Sequence, residues 1–315
     1  MNGKKRFFII HGWKSGPEDA WFPWLKTELE KLGGVVFTPF LPDPDKPKIE
    51  LWLENVKEII GEPDTDTFLI GHSLGAFIVL KYLEYVGSLG KKIGGAILVA
   101  GGVHREGRPH VDPELVWRGT LKMTALFSDN DYYIPLTEKD FFKENLGARV
   151  LALHNRGHFS RKEGVLQLPE LLSEIKRMVY PKNRAVGALI RGLPGEEELL
   201  VFLRNYYGEK FFCLPGGSIE EGETKEGALG RELREELGIE IKNQEFIFEI
   251  DHEARKEFYF LVREWQGELQ NTGMDGNAEN TSTFVWKKFK DLPRLSPVYP
   301  TEGFIKILAH FKLTP

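Results

Sequence analysis

The sequence predicts an α/β domain built on a parallel sheet, followed by a smaller α+β domain. Three observations point there. Short apolar runs alternate with stretches of helical spacing over the first half of the chain, the alternation stops at Tyr180-Pro181-Lys182-Asn183, and closely spaced strand-like runs then precede an acidic helix. Alternation of the first kind marks a doubly wound sheet, because parallel strands are joined by helical crossovers. With 315 residues, the chain also exceeds what a single core normally supports.

Taken in order, Arg6–Ile10, Val35–Thr38, Thr67–Ile70, Ala96–Ala100, Met123–Phe127 and Val150–Leu153 read as strands that are apolar on both faces. Between them, Glu18–Leu32, Ile49–Ile60, Gly75–Val86, Thr137–Leu146 and Leu168–Met178 carry helical spacing. The first domain is therefore placed at residues 1–181 and the second at 184–315, joined by a linker too short for free tumbling. In the second, Ala185–Ile190, Leu199–Leu203 and Phe211–Leu214 read as strands before a helix over Ala228–Leu237.

Composition narrows the function. Hydrophobic residues make up 41% and charged residues 28%, an ordinary globular balance. A net charge of −5 leaves no basic field for nucleic acid or an anionic membrane, so small-molecule substrates are the expected partners. No apolar run is long enough to span a bilayer, and Phe7-Phe8-Ile9-Ile10 is too short for a signal-peptide core. The single cysteine, Cys213, cannot form an internal disulfide and sits among Phe211, Phe212 and Leu214. It reads as a strand thiol in a cytoplasmic protein.

Residues 217–239 carry the first chemistry. In a helix, Glu232, Glu235 and Glu236 stand at i, i+3 and i+4, on one face within one turn. Like charges at that spacing repel, so a cation is expected between them, and hard oxygen ligands suit Mg²⁺ or Mn²⁺. The segment resembles the Nudix box, G-x5-E-x7-R-E-U-x-E-E-x-G-U with U aliphatic. Gly217, Glu223, Arg231, Glu232, Leu233, Glu235, Glu236, Gly238 and Ile239 fill its fixed positions. The resemblance implies a metal-dependent hydrolase of nucleoside diphosphate derivatives. It implies Glu232, Glu235 and Glu236 as metal ligands, helped by the main-chain carbonyl of Gly216, with Glu232 and Glu235 counted among the catalytic residues. It also implies that Glu223 pairs with Arg231 to brace the loop. A further late carboxylate is expected at Glu279, with Asp275 and Glu253 as competitors.

The second chemistry lies at Gly71-His72-Ser73-Leu74-Gly75, between a strand and a helix. This is the setting of a nucleophile elbow, which lifts a serine hydroxyl above the sheet at a helix N-terminus. Serine needs a histidine base, and the base needs an acid to fix its tautomer. Asp131 or Asp129 in the loop after Phe127, and His158 or His154 in the loop after Leu153, follow Ser73 in the required order. His158 is preferred because His154 finishes its strand.

These motifs, with His11-Gly12-Trp13, Trp21-Phe22-Pro23-Trp24 and Leu41-Pro42-Asp43, resemble the small serine hydrolases of the RBBP/YdeN type over about residues 6–180. That family's acid pattern implies Asp131, with Asp129 as the alternative, and an oxyanion hole from the backbone N–H groups of Trp13 and Leu74. Trp21 and Trp24 are expected to pack in the core rather than face substrate. The expectation is a fused bifunctional hydrolase. The alternative is a serine hydrolase governed by a nucleotide-sensing, non-catalytic Nudix module.

Overall fold

The apolar runs of the first half form six parallel strands, β1 (Arg6–Ile10), β2 (Val35–Phe37), β3 (Thr67–His72), β4 (Gly95–Val99), β5 (Met123–Ser128) and β6 (Arg149–Leu153). Their order in the sheet is β2-β1-β3-β4-β5-β6. In this computed structural model, residues 4–105, 107–206, 209–252, 255–270 and 280–313 are described. By its internal contacts the chain divides into units 1–180 and 181–315.

Helices α1 (Phe22–Lys31), α2 (Ile49–Ile60), α3 (Leu74–Ser88), α4 (Pro113–Arg118), α5 (Glu138–Glu144) and α6 (Pro169–Val179) complete the first unit. Central strands β3 and β4 are buried along their whole length, which is why they read as continuous apolar runs. Helix α3 is apolar nearly all round, as a helix enclosed by its neighbours must be. Helix α1 starts at Phe22 rather than Glu18. Ala20 takes φ +47 with its N–H donated to Asp19 Oδ1 at 2.8 Å, which breaks the helical path, and Pro23 then opens the first turn.

The second unit contains β7 (Arg184–Arg191), β8 (Glu198–Tyr206), β9 (Glu209–Cys213), β10 (Gly216–Ser218), α7 (Lys225–Leu237), β11 (Glu240–His252), β12 (Arg255–Gln266), β13 (Asn280–Lys288) and α8 (Thr301–His310). Five strands run β11-β12-β7-β8-β13, with β10 paired to β7 and β9 to β8. The β12–β7 pair is parallel, so the sheet is mixed. Both faces of β7 are buried. Ala185 and Leu189 pack toward Leu229 and Leu233 of α7, whereas Val186, Ala188 and Ile190 share a core with Phe304 and Ile307 of α8. Helix α7 extends three residues before the expected start, because the Thr224 hydroxyl accepts the Gly227 N–H at 3.0 Å and caps it. Gly238 closes it in the left-handed conformation at φ +70. Among the described residues, no helix is long and apolar enough to cross a membrane.

Candidate active sites

Ser73 sits between β3 and α3 at φ 55, ψ −116, a conformation hostile to any side chain. The elbow glycines allow that turn. A Cβ at Gly71 would lie 2.5 Å from the Ala76 α-carbon, and one at Gly75 would lie 2.2 Å from the Ile10 carbonyl oxygen. Strand and helix thus approach more closely than alanine permits.

The acid and base loops leave the carboxyl ends of β5 and β6. His158 Nε2 lies 2.9 Å from Ser73 Oγ, and its Nδ1 lies 2.8 Å from Asp131 Oδ2. Asp131 is buried and accepts the N–H groups of Tyr133 and Ile134 at 2.8 and 3.0 Å. With its other acceptor sites so fixed, Asp131 accepts the N–H at Nδ1, which leaves Nε2 to accept from the serine hydroxyl. Asp129 and His154 do not join this chain. They are hydrogen-bonded to each other at the more exposed rim, where the Asn155 N–H also donates to Asp129.

Several partners had no sequence signal. His72, the variable residue inside the elbow, donates from Nε2 to the His158 carbonyl at 2.8 Å. Burial, and then the neighbouring His158, push its pKa down to about 4, so it stays neutral. Asn130 Oδ1 accepts from Ser128 Oγ and from the Gly157 N–H, both at 2.8 Å, and Ser128 Oγ accepts the Arg156 N–H. These bonds tie the acid loop to the histidine loop. His11 donates from Nδ1 to the Gly12 carbonyl at 2.9 Å and accepts the Leu41 N–H on Nε2 at 3.0 Å. Burial lowers its pKa as well.

The segment after β1 reaches the serine closely enough that a Cβ at Gly12 would stand 3.0 Å from Ser73 Cβ. Trp13 follows, half exposed, with its indole N–H on the Asp45 carbonyl at 2.9 Å. Leu74 is the first residue of the 15-residue α3. Trp21 is fully buried, edge-on to Phe22, and Trp24 is half-buried. A cleft of about 260 Å³ opens over Ser73 and His158, walled by Trp13, Tyr132 and Tyr133.

The second candidate site lies where α7 faces β10. Glu232 and Glu236 turn inward, whereas the Glu235 side chain is 60% exposed. The three acids therefore do not share one environment, although they share one helical turn. Guanidinium groups offset their repulsion. Arg231 reaches Glu232 at 2.8 Å, Glu235 at 3.3 Å and both oxygens of Glu223 at 3.1 Å, while donating to the Ser218 carbonyl at 2.7 Å. Arg204 pairs with Glu236, and burial raises the pKa of that carboxyl. The Gly216 N–H donates to Glu236 at 2.8 Å, and the Gly216 carbonyl accepts from Arg184 at 2.6 Å. In this structure Arg231 and Arg204 thus offset the mutual repulsion of the three carboxylates.

Both carboxylates nevertheless converge on the Gly216-Gly217 strand. The Glu232 carboxylate fills the space of a Cβ at Gly217, 2.1 Å away, and Gly216 takes φ +131 against the Ala185 carbonyl. Two hard anionic donors beside a glycine backbone fit a small divalent cation. Among the described residues, no group of three or more His, Cys, Asp or Glu is gathered at metal-ligating distance. Glu279, Asp275 and Glu253 lie outside the described residues. Cys213 is half-buried in β9, and burial pushes its thiol pKa up.

The family model described as serine hydrolase matches residues 7–177, over half the chain. The chain belongs to the serine hydrolase family. The model described as NUDIX domain matches residues 181–303, so this serine hydrolase carries a Nudix domain behind its first unit. The first part is similar to YdeN of Bacillus subtilis, at 28% identity over 176 residues, 52% of this chain and 91% of that protein. A crystal structure of the B. subtilis ydeN product covers 56% of this chain and 98% of its own, at 25% identity and TM-score 0.53. The Nudix part is similar to the 8-oxo-dGTP diphosphatase of Haemophilus influenzae. That match is 48% identical over 58 residues, 17% of this chain and 43% of that protein, so it spans less than half of the relative. Both units belong to hydrolase families, and the chain is a hydrolase in two parts.

Proposed function

We propose that the first unit hydrolyses an ester or related acyl substrate through Ser73, His158 and Asp131. One observation carries this reading, the continuous path from Ser73 Oγ through His158 to Asp131 at 2.9 and 2.8 Å. Ser73 Oγ attacks the acyl carbon while His158 Nε2 takes its proton. The carbonyl oxygen, now negative, is received by the N–H groups of Trp13 and Leu74. The bond to the leaving alcohol breaks, and His158 returns the proton to that oxygen. Water then attacks the acyl carbon and gives a proton to His158; the bond from that carbon to Ser73 Oγ breaks, the acid leaves and His158 returns the proton to Oγ. Asp131 keeps the proton on Nδ1 and balances the imidazolium without itself being protonated. A fluorophosphonate probe should label wild type but not Ser73→Ala; equal labelling of the two would move the nucleophile elsewhere.

For the second unit we infer hydrolysis of a nucleoside diphosphate derivative. Glu232 and Glu236 would hold Mg²⁺ or Mn²⁺, with Glu235 and the Gly216 carbonyl as further oxygens. The bound ion would neutralise the diphosphate and acidify water. The chain's own part is positional: Arg231 braces α7 to Glu223 and Ser218, and Thr224 caps the helix so that its acids keep register. The name of the H. influenzae relative makes nucleoside triphosphates with altered bases the first compounds to screen. Loss of turnover in Glu236→Gln and in chelator, with the Ser73 chemistry intact, supports this reading; indifference to both refutes it. A non-hydrolytic, nucleotide-sensing unit is the second reading, favoured by the ion pair of Arg204 with Glu236. Binding without turnover would establish it. Small-molecule substrates and a cytoplasmic setting complete the proposal.

A further inference from the structure

The cleft over Ser73 is basic at its rim, although the chain as a whole is acidic at −5. Lys14, Arg161 and Lys162 line it together with Asp19. Two loops supply these residues, one after β1 and the other after β6. Arg161 straps the loops together, donating to the Glu18 carbonyl at 2.7 Å and to Asp19 at 3.3 Å. Lys14 is fixed from the other side, since its N–H donates to the Pro44 carbonyl at 2.9 Å while its backbone sits at φ +53. Both lysines are thereby held at one opening.

Their charges are unbalanced. The Lys14 ammonium has only the Trp13 ring, 4.8 Å away, and that of Lys162 only the Tyr132 ring, 5.4 Å away; neither has an anionic partner among the described residues. Asp19 and Glu163, the carboxylates on the two cleft loops beside Arg161, are already engaged. Asp19 accepts from Ser15, Ala20 and Arg161, and Glu163 from Tyr132 and Ser160. Asp131 lies beneath His158. Two cations stacked on aromatic walls beside Ser73, with Asp19, the cleft's own carboxylate, already engaged, leave positive charge at the opening.

We propose that this cleft selects esters that carry a negative charge, a carboxylate or a phosphate, seated between Lys14 and Lys162. The proposal rests on Ser73 as nucleophile and names the class of substrate it takes. Exposed ion pairs are individually modest and screened by salt, so two of them give a preference of about tenfold at low ionic strength.

The test compares two fluorophosphonates of equal length, one ending in methyl and one in carboxylate. In labelling, Ser73 Oγ bonds to phosphorus, the P–F bond breaks, fluoride leaves and the proton passes to His158. The carboxylate probe should label about tenfold faster, an advantage that shrinks at high salt. The ratio should fall toward one in Lys14→Met/Lys162→Met but persist in Lys176→Met, a lysine on α6. A ratio near one in wild type, or one unchanged in the double variant, overturns the proposal. Failure of both probes to label would instead defeat Ser73 as nucleophile. The subsite is then read alone, by calorimetric titration with succinate and with inorganic phosphate. Binding lost in the double variant supports it and identifies the anion, whereas no binding of either overturns it.

Discussion

Replacing Ser73 by glycine should abolish the acyl chemistry and yet leave a more stable protein than replacing it by alanine. Both variants lose the hydroxyl and its 2.9 Å bond to His158, so their difference isolates the backbone. At φ 55, ψ −116 a residue with a Cβ is strained by about 1–3 kcal/mol, a cost that alanine keeps and glycine sheds. Glycine's extra freedom in the unfolded chain takes back about 0.5–1 kcal/mol. The net is about 1 kcal/mol in favour of Ser73→Gly, or about 2–4 °C in melting temperature for a unit of this size. Tryptophan fluorescence suits the measurement, because Trp13, Trp21, Trp24, Trp52 and Trp117 all lie in the first unit. If the glycine variant melts at or below the alanine variant, the elbow stores no strain and the argument fails.

Three further outcomes follow from the site. Asp131→Asn should lower esterase kcat by about 10⁴-fold by fixing the wrong tautomer on His158, while Asp129→Asn at the rim changes it little; steady-state kinetics showing the reverse order would reassign the acid. Gly75→Ala should destabilise the first unit by about 3 kcal/mol or more, since the new Cβ meets backbone at the Ile10 carbonyl, and an unchanged urea midpoint would contradict that close approach. The third concerns pH. His72 is held neutral by burial and by His158, against the opposing pull of Asp131 and Asp19, so its folded pKa of about 4 lies below the ordinary 6.5. Above pH 6.5 both states are neutral and its stability contribution is whole; as pH falls toward 4 the unfolded chain takes up the proton first, and about 3 kcal/mol is lost. Denaturant midpoints at pH 7 and near pH 4 should therefore converge more closely in His72→Gln than in wild type, and equal losses in both would refute the assignment.

The sequence announces some of this architecture loudly and some not at all. Strands β3, β4 and β5, buried on both faces, leave short continuous apolar runs. Strands β11 and β12 span 13 and 12 residues with bulges near Asn243 and Phe246, so their mixed, partly exposed pattern lacks the alternation that marks a strand. The six-residue α4 is too short to show a period. At the sites, Ser73, Asp131 and His158 are visible because chemistry fixes both their type and their order. His72, Asn130, His11, Arg204 and Arg184 act through contacts that only the folded chain creates. Arg204 and Glu236 stand 32 positions apart, and no local pattern joins them.

The bonds of Asn130 and Ser128 carry a consequence for how this enzyme can diversify. Two loops that would ordinarily drift apart in length and sequence are welded into one piece, since Asn130 holds the Gly157 N–H and Ser128 holds that of Arg156. An insertion in either would drag the other and pull His158 off its acid. The opposite bank of the cleft, Lys14–Asp19, meets the histidine loop through the exposed Arg161 side chain, so new substrate preferences can be tried there at less cost to the pairing of His158 with Asp131.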